Sequence, residues 1–259
     1  MRVRVFDTPS GLARAAARDV ARALTANPHL VLGLPTGRTP IPLYHQLARL
    51  HGDGRADFRR ATTFNLDEFL GLDGRDARSY RAFMQRHLFD HINVPVRRIH
   101  FLNGTAGDVP AECDRYERAI RRAGGIDLQL LGLGLNGHIG FNEPARALAA
   151  RTHCAKLRPA TRRANAALFG NRLRDVPRHA LSMGMATILH ARRIVLIATG
   201  ASKRACVERM IAGPVTPRVP ASFLQLHGNT EVWLDRAAAN RLTTRPSAAP
   251  STSPRRPRR

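Results

Sequence analysis

Residues 126–144 read IDLQLLGLGLNGHIGFNEP. The first eight are almost continuously apolar, the pattern of a β-strand covered on both faces rather than one. Gly132, Gly134, Gly137 and Gly140 then break the run into a small, polar segment. Working outward, the same design recurs. Residues 30–34 (LVLGL) stop at 35–40 (PTGRTP), 62–66 (TTFNL) stop at Asp67-Glu68, and 193–199 (RIVLIAT) stop at Gly200. Shorter strands are expected at 3–6 and 230–234. Helical stripes separate them. Thr8-Pro9-Ser10 opens a helix with Leu12, Ala16, Val20 and Leu24 on one face, and a second carries Leu43, Leu47 and Leu50. Further helices are expected near 79–91, 111–123 and 202–211. Strands regularly alternating with helices predict an α/β fold, a doubly wound, mostly parallel (Rossmann-like) sheet with helices on both faces. Such sheets bind ligands beyond the carboxyl ends of their strands. Segments 35–40, 67–68, 134–143 and 199–203 all fall at that rim.

The chain has 259 residues, enough for a single large core. We expect one domain over 1–240, with a small lid at about 144–185 that is rich in Ala and Arg and poor in strands. The Pro/Ser/Arg-rich stretch 241–259 is expected to be a disordered basic tail. No apolar run reaches the roughly 18 residues that span a bilayer, and no secretory h-region is present, so no membrane partner is expected. Cys113, Cys154 and Cys206 are widely spaced and read as free thiols in a reducing compartment, the cytoplasm. Forty-two Lys+Arg against 19 Asp+Glu give a net charge of +23. Only Lys156 and Lys203 are lysines. This diffuse arginine excess favours anionic partners of any kind, phosphorylated metabolites included, and forms no obvious stripe for a specific nucleic acid.

Three rim segments carry chemistry. In Thr36-Gly37-Arg38-Thr39, a buried strand meets a helix start, where backbone N–H groups, the helix dipole and two hydroxyls suit a phosphate. It is neither a Walker A nor a GxGxxG sequence, and read alone it is an ordinary strand-to-helix turn. The adjacent carboxylates Asp67 and Glu68 fit a general base with a neighbour, or equally a capping or salt-bridged acid at a strand end. His138 lies two residues after Asn136 and five before Glu143, and a carboxylate can orient an imidazole that titrates near neutrality. That couple suits proton shuttling on a sugar hydroxyl. No HxH or HExxH spacing supports a metal site, and none is expected.

GLPTGRTP, TTFNLDEF, LLGLGLNGHIGFNEP and PVTPRVPASFLQLH, in this order over roughly residues 1–235, resemble the glucosamine-6-phosphate deaminase (isomerase) family. The related 6-phosphogluconolactonases continue differently after their histidine, so Phe141-Asn142-Glu143-Pro144 favours the deaminases. The resemblance implies conversion of glucosamine 6-phosphate and water to fructose 6-phosphate and ammonia, in amino-sugar catabolism, without a cofactor. It implies that His138 opens the ring, assisted by Glu143 and Asn136, and that Asp67 takes the C2 proton. It also implies phosphate binding by Thr36, Gly37, Arg38, Thr39 and Lys203.

Three departures from the family pattern carry expectations. Position 136 is Asn where many members have Asp, so it can orient His138 but not share a proton. Position 167 is Ala where members usually have a phosphate-contacting Arg, and Arg38, at a site usually small, is expected to replace it. The residues matching an activator site for N-acetylglucosamine 6-phosphate are Arg146, His153 and Ala155 in place of Ser, Arg and Lys, which predicts no such activation. Alternatives are a galactosamine-6-phosphate deaminase/isomerase, a 6-phosphogluconolactonase-like enzyme, or a non-catalytic sugar-phosphate or nucleic-acid binding protein. The oligomeric state stays open between a monomer and a homo-oligomer.

Overall fold

A computed structural model describes residues 1–240 and 242. The expected tail, 241–259, lies outside the described residues apart from Leu242. In chain order the elements are β1 (Arg2–Phe6), α1 (Pro9–Ala26), β2 (Val31–Leu34), α2 (Ile41–Gly52), β3 (Thr62–Asn65), β4 (Asp67–Phe69), α3 (Tyr80–His87) and β5 (Ile99–His100). They continue with α4 (Val109–Arg122), β6 (Leu128–Leu131), β7 (His153–Lys156), α5 (Pro159–Asn165), β8 (His179–Ser182), α6 (Met185–Leu189), β9 (Arg193–Ala198), α7 (Arg204–Ala212), β10 (Thr230–Asp235) and α8 (Arg236–Ala239).

Seven strands form one sheet in the order β1-β10-β9-β6-β2-β3-β5, with every pairing parallel. Side-chain alternation divides the core. Leu32, Leu34, Leu128, Leu130, Val195, Ile197 and Trp233 face α1, α2 and α3, whose Leu12, Val20, Leu43, Leu47 and Phe83 cover them. Val31, Phe64, Leu131, Ile194, Leu196, Val232 and Leu234 face α4, α6, α7 and α8, covered by Tyr116, Ile120, Ile188 and Val207. This is the doubly wound α/β architecture the alternation predicted. Local chemistry fixes the ends as well: the Thr8 side chain accepts from Gly11 N at 3.0 Å, capping α1 before its Pro9.

Successive strands run outward from β2 through β3 to β5, and the chain then returns to place β6 on the other side of β2. The sheet therefore has its topological switch between β2 and β6, and it is outside the carboxyl ends of strands at such a switch that open α/β sheets bind ligands.

The run 62–66 predicts a strand ending at Asp67-Glu68, but β3 stops at Asn65, and Asp67–Phe69 start a second sheet. That sheet is antiparallel, ordered β4-β8-β7, and two of its strands lie within 144–185, a segment expected to be poor in strands. The expectation of one strand running on to Asp67-Glu68 is corrected, because the strands of the second sheet are only three or four residues long, too short for a periodicity to show. A third, small core packs beneath the second sheet, built from Phe69, Tyr80, Phe141, Leu157 and Phe169.

Candidate active site

Asp67 is the first residue of β4, where the chain leaves the parallel sheet for the antiparallel one. It is buried, and its Oδ1 has no hydrogen-bond partner. Burial, reinforced by the charge of Glu68, pushes its carboxyl up to about 8, while the Thr36 side chain pulls the other way. A carboxyl with that affinity can hold a proton near neutral pH and release it easily.

Glu68 points to the other face of β4 and has a different task. Its Oε1 accepts from Phe69 N and Tyr80 N, each at 2.9 Å, and its Oε2 from Arg81 N at 2.9 Å. It thus binds the free N–H groups at the start of α3 and locks β4 to that helix. Of the two adjacent acids, Asp67 keeps a buried oxygen without a partner, whereas Glu68 is consumed in structure.

Ser182 connects Asp67 to the histidine segment. It stands directly opposite Asp67 in the β4–β8 ladder, and its Oγ accepts from Phe141 N at 3.0 Å. Residues opposed in an antiparallel ladder lie about 4.5–5.5 Å apart at Cα. The loop from His138 to Glu143 is therefore tied to the residue facing Asp67. Asn142 reinforces the tie, its Nδ2 donating to Ile139 O at 2.9 Å and to Met183 O at 2.8 Å.

Within that loop, the backbone folds so that Gly134 N donates to His138 O at 2.9 Å. A Cβ at Gly134 would fall 2.4 Å from the imidazole, so only glycine lets the ring lie against the strand end. His138 Nδ1 is 3.5 Å from Glu143 Oε2. Asn136 Nδ2 donates to that same oxygen at 2.8 Å, and Asn136 Oδ1 accepts from His138 N at 3.2 Å. Burial opposes the charge on Glu143, but His138, Thr161 and Asn136 outweigh it and hold the carboxyl near 2. Glu143 therefore stays ionised, and Asn136 positions it.

The loop after β2 faces the same rim. Gly37 has φ of +95°, a left-handed turn that glycine adopts freely, and it projects Arg38 into solvent. Thr39 follows before α2 begins at Ile41. Tyr44, buried in α2, donates its hydroxyl to Pro35 O and pins the loop. Lys203 Nζ donates to Leu133 O, beside the Gly134 that carries the imidazole. Burial lowers the Lys203 pKa, the nearby Cys206 thiol opposes this, and the Arg38 guanidinium lowers it further. Among the described residues neither cation has a carboxylate partner. Two unpaired cations within electrostatic reach of each other make a site for an anion.

The structure thus gathers all the predicted residues at one rim: Thr36, Gly37, Arg38 and Thr39 after β2, Asp67 after β3, Asn136, His138 and Glu143 after β6, and Lys203 after β9. Ala167 lies in the turn after α5 and offers no charge. Sequence reasoning allowed a capping acid at Asp67-Glu68 without saying which of the two it is, and it missed Ser182 and Tyr80, whose hydroxyl donates to Asn165 Oδ1 at 3.0 Å across to α5. Glu68 had a detectable signal, an acid a dozen residues before a Ser-capped helix, whereas Ser182 had none. Among the described residues no group of three His, Cys, Asp or Glu side chains is placed to hold a metal ion.

A carboxyl that holds a weakly bound proton, an oriented imidazole and a paired cation site can move protons on a phosphorylated small molecule. Comparison with known proteins points the same way. A family model described as glucosamine-6-phosphate isomerases/6-phosphogluconolactonase matches residues 7–233. A glucosamine-6-phosphate deaminase of Halothermothrix orenii is 46% identical over 242 residues, covering 93% of this chain and 100% of that protein. One of Arthrobacter sp. is 47% identical over 227 residues, covering 88% and 87%. The solved structure of a monomeric glucosamine-6-phosphate deaminase superposes with a TM-score of 0.90 at 43% identity, over 93% of this chain and 99% of that one. A 6-phosphogluconolactonase from Trypanosoma cruzi, at 22% identity and a TM-score of 0.73, shares the fold. The chain belongs to the family of glucosamine-6-phosphate isomerases and 6-phosphogluconolactonases.

Proposed function

We propose that the chain is a glucosamine-6-phosphate deaminase, converting glucosamine 6-phosphate and water to fructose 6-phosphate and ammonia. Relatives of that name at 46–47% identity support this reading, whereas structural neighbours named as 6-phosphogluconolactonases match at 20–22%. The observation that carries the chemistry is the Ser182 bridge: Ser182 stands opposite Asp67 in the ladder and its side chain holds the loop that carries the His138–Glu143 couple.

His138, oriented by Glu143, takes the C1 hydroxyl proton and returns one to the ring oxygen, opening the pyranose. Asp67 then removes the C2 proton of the open chain, leaving an enolamine, and a proton is delivered to C1. The resulting C2 imine adds water and expels ammonia. Two proton transfers at different carbons need separate groups, and each positioned acid or base contributes about 10²–10⁴-fold. Arg38 and Lys203 hold the 6-phosphate, with the hydroxyls of Thr36 and Thr39 and the N–H groups around Gly37. Arg38 supplies the guanidinium that Ala167 lacks.

Segment 144–185 acts as a lid over the sugar. Arg158 N reaches Glu143 Oε1 at 3.3 Å, and Asn165 accepts from Tyr80, so lid position is coupled to both catalytic segments. The solved deaminase on which the chain superposes at 43% identity is monomeric, which supports a monomer as the active unit. No described helix is long and apolar enough to cross a membrane. The three free cysteines support a cytoplasmic location.

The test is ammonia release from glucosamine 6-phosphate, with galactosamine 6-phosphate and 6-phosphogluconolactone as competitors for the assignment. Turnover of the first by wild type, lost in Asp67→Asn with phosphosugar binding retained, is expected. Faster turnover of either competitor would overturn the assignment.

A further inference from the structure

A cavity of about 420 Å³ opens at the opposite end of the sheet from the candidate active site. Thr62, at the start of β3, lines it, whereas Asp67 follows the end of that strand. The other walls are His100 of the edge strand β5, Arg97 and Arg98 in the turn before it, and Arg122 in the last turn of α4. No carboxylate lines this space. Among the described residues none of its three guanidiniums forms an ion pair, as is true of many arginines in this basic chain, so the concave lining and a buried donor on Arg98 are what set the site apart.

The ordinary explanation covers only one of the three. Arg122 sits at a helix C-terminus, where a cation complements the dipole. Arg97 and Arg98 come from a different segment and have no such reason. Arg98 is half-buried: one terminal nitrogen donates to Thr62 Oγ1 at 3.3 Å, but its Nε is buried without any partner. A buried N–H on a charged group is strongly destabilising unless something accepts from it. His100 is fixed beside it, stacked on Phe64 with ring centroids 4.5 Å apart. Like charges are thus gathered around a concave space with a donor unsatisfied.

We propose that this cavity is a second anion site, which takes a phosphorylated small molecule, a phosphate ester or a pyrophosphate, between Arg97, Arg98 and Arg122. Planar guanidiniums match phosphate oxygens in pairs, and the Thr62 hydroxyl adds a further polar contact. The volume lies in the range of small-ligand sites. The site is independent of the catalytic rim and does not rest on the proposed reaction.

Titration calorimetry and hydrogen exchange with inorganic pyrophosphate, and separately with glucose 6-phosphate as a phosphate ester, test it. Saturable binding should protect residues 97–100 and 119–123 in wild type, and equally in Arg38→Gln/Lys203→Gln, where the catalytic cations are gone. Whichever probe protects better identifies the ligand class. Arg98→Gln/Arg122→Gln should weaken binding about a hundredfold, since each charge-assisted contact is worth about tenfold or more. Arg122→Gln alone, on an exposed helix surface, should weaken it about tenfold and leave the fold intact. Ammonia release by these two variants should stay within about twofold of wild type. Protection confined to 36–39 and 200–204, unchanged affinity in Arg122→Gln, or binding of RNA but of neither small anion would overturn the proposal.

Discussion

Replacing Asp67 by Asn should make the protein more stable while it abolishes turnover, and the stability gain should depend on pH. Asp67 is 6% exposed and its carboxyl is pushed up to about 8 by burial and by Glu68, against 3.8 when unperturbed. The folded state therefore binds a proton that the unfolded chain has lost across that window. For a group raised in this way, the full stability is present below about pH 4, and it falls as pH rises toward 8. Each pH unit in the window costs about 1.4 kcal/mol, so at pH 7 the buried acid costs the fold up to about 4 kcal/mol. The amide of Asp67→Asn is neutral in both states and removes that cost. For a domain of this size, a gain of about 2–4 kcal/mol corresponds to a melting temperature higher by about 4–16 °C. Thermal unfolding of both proteins should give curves that coincide near pH 4 and separate steadily up to pH 8. Turnover should fall at least about 10²–10⁴-fold with the phosphosugar still bound. In the wild type, kcat/KM should rise with pH up to about 8 as the base ionises. A melting difference that is constant from pH 4 to pH 8, or turnover by Asp67→Asn close to wild type, would refute both the electrostatic account of Asp67 and its role.

Glu68→Ala strands the N–H groups of Phe69, Tyr80 and Arg81, and should destabilise by about 3 kcal/mol or more in urea unfolding, with Glu68→Gln recovering part of the loss. Arg38→Gly should raise KM for the phosphosugar about tenfold with little change in kcat; an unchanged KM would show that Arg38 does not hold the phosphate. Asn136→Ala frees Glu143 Oε2 and weakens the hold on the imidazole, so kcat should fall about tenfold or more while KM moves little. Saturation curves should be hyperbolic and insensitive to N-acetylglucosamine 6-phosphate, given Arg146, His153 and Ala155; a steepened or shifted curve would contradict this.

The parallel sheet, both helix layers and the rim segments are legible in the amino-acid string alone. Runs such as 30–34, 126–133 and 193–199 are apolar on both faces because both faces are covered, and this burial is written locally, residue by residue. The residue types at the rim are legible too, since a glycine-rich turn with His138, Asn136 and Glu143 is visible as a string. How those groups are poised depends on contacts between distant parts of the chain. Asp67 and Glu68 are neighbours in sequence, and nothing in the string says that one keeps an oxygen without a partner while the other accepts three backbone N–H groups. That division is set by β4 pairing with β8, a partner more than a hundred residues away on strands too short to show a period. The raised affinity of Asp67 for a proton and the bridge through Ser182 arise from desolvation and register, which depend on what surrounds a residue in space.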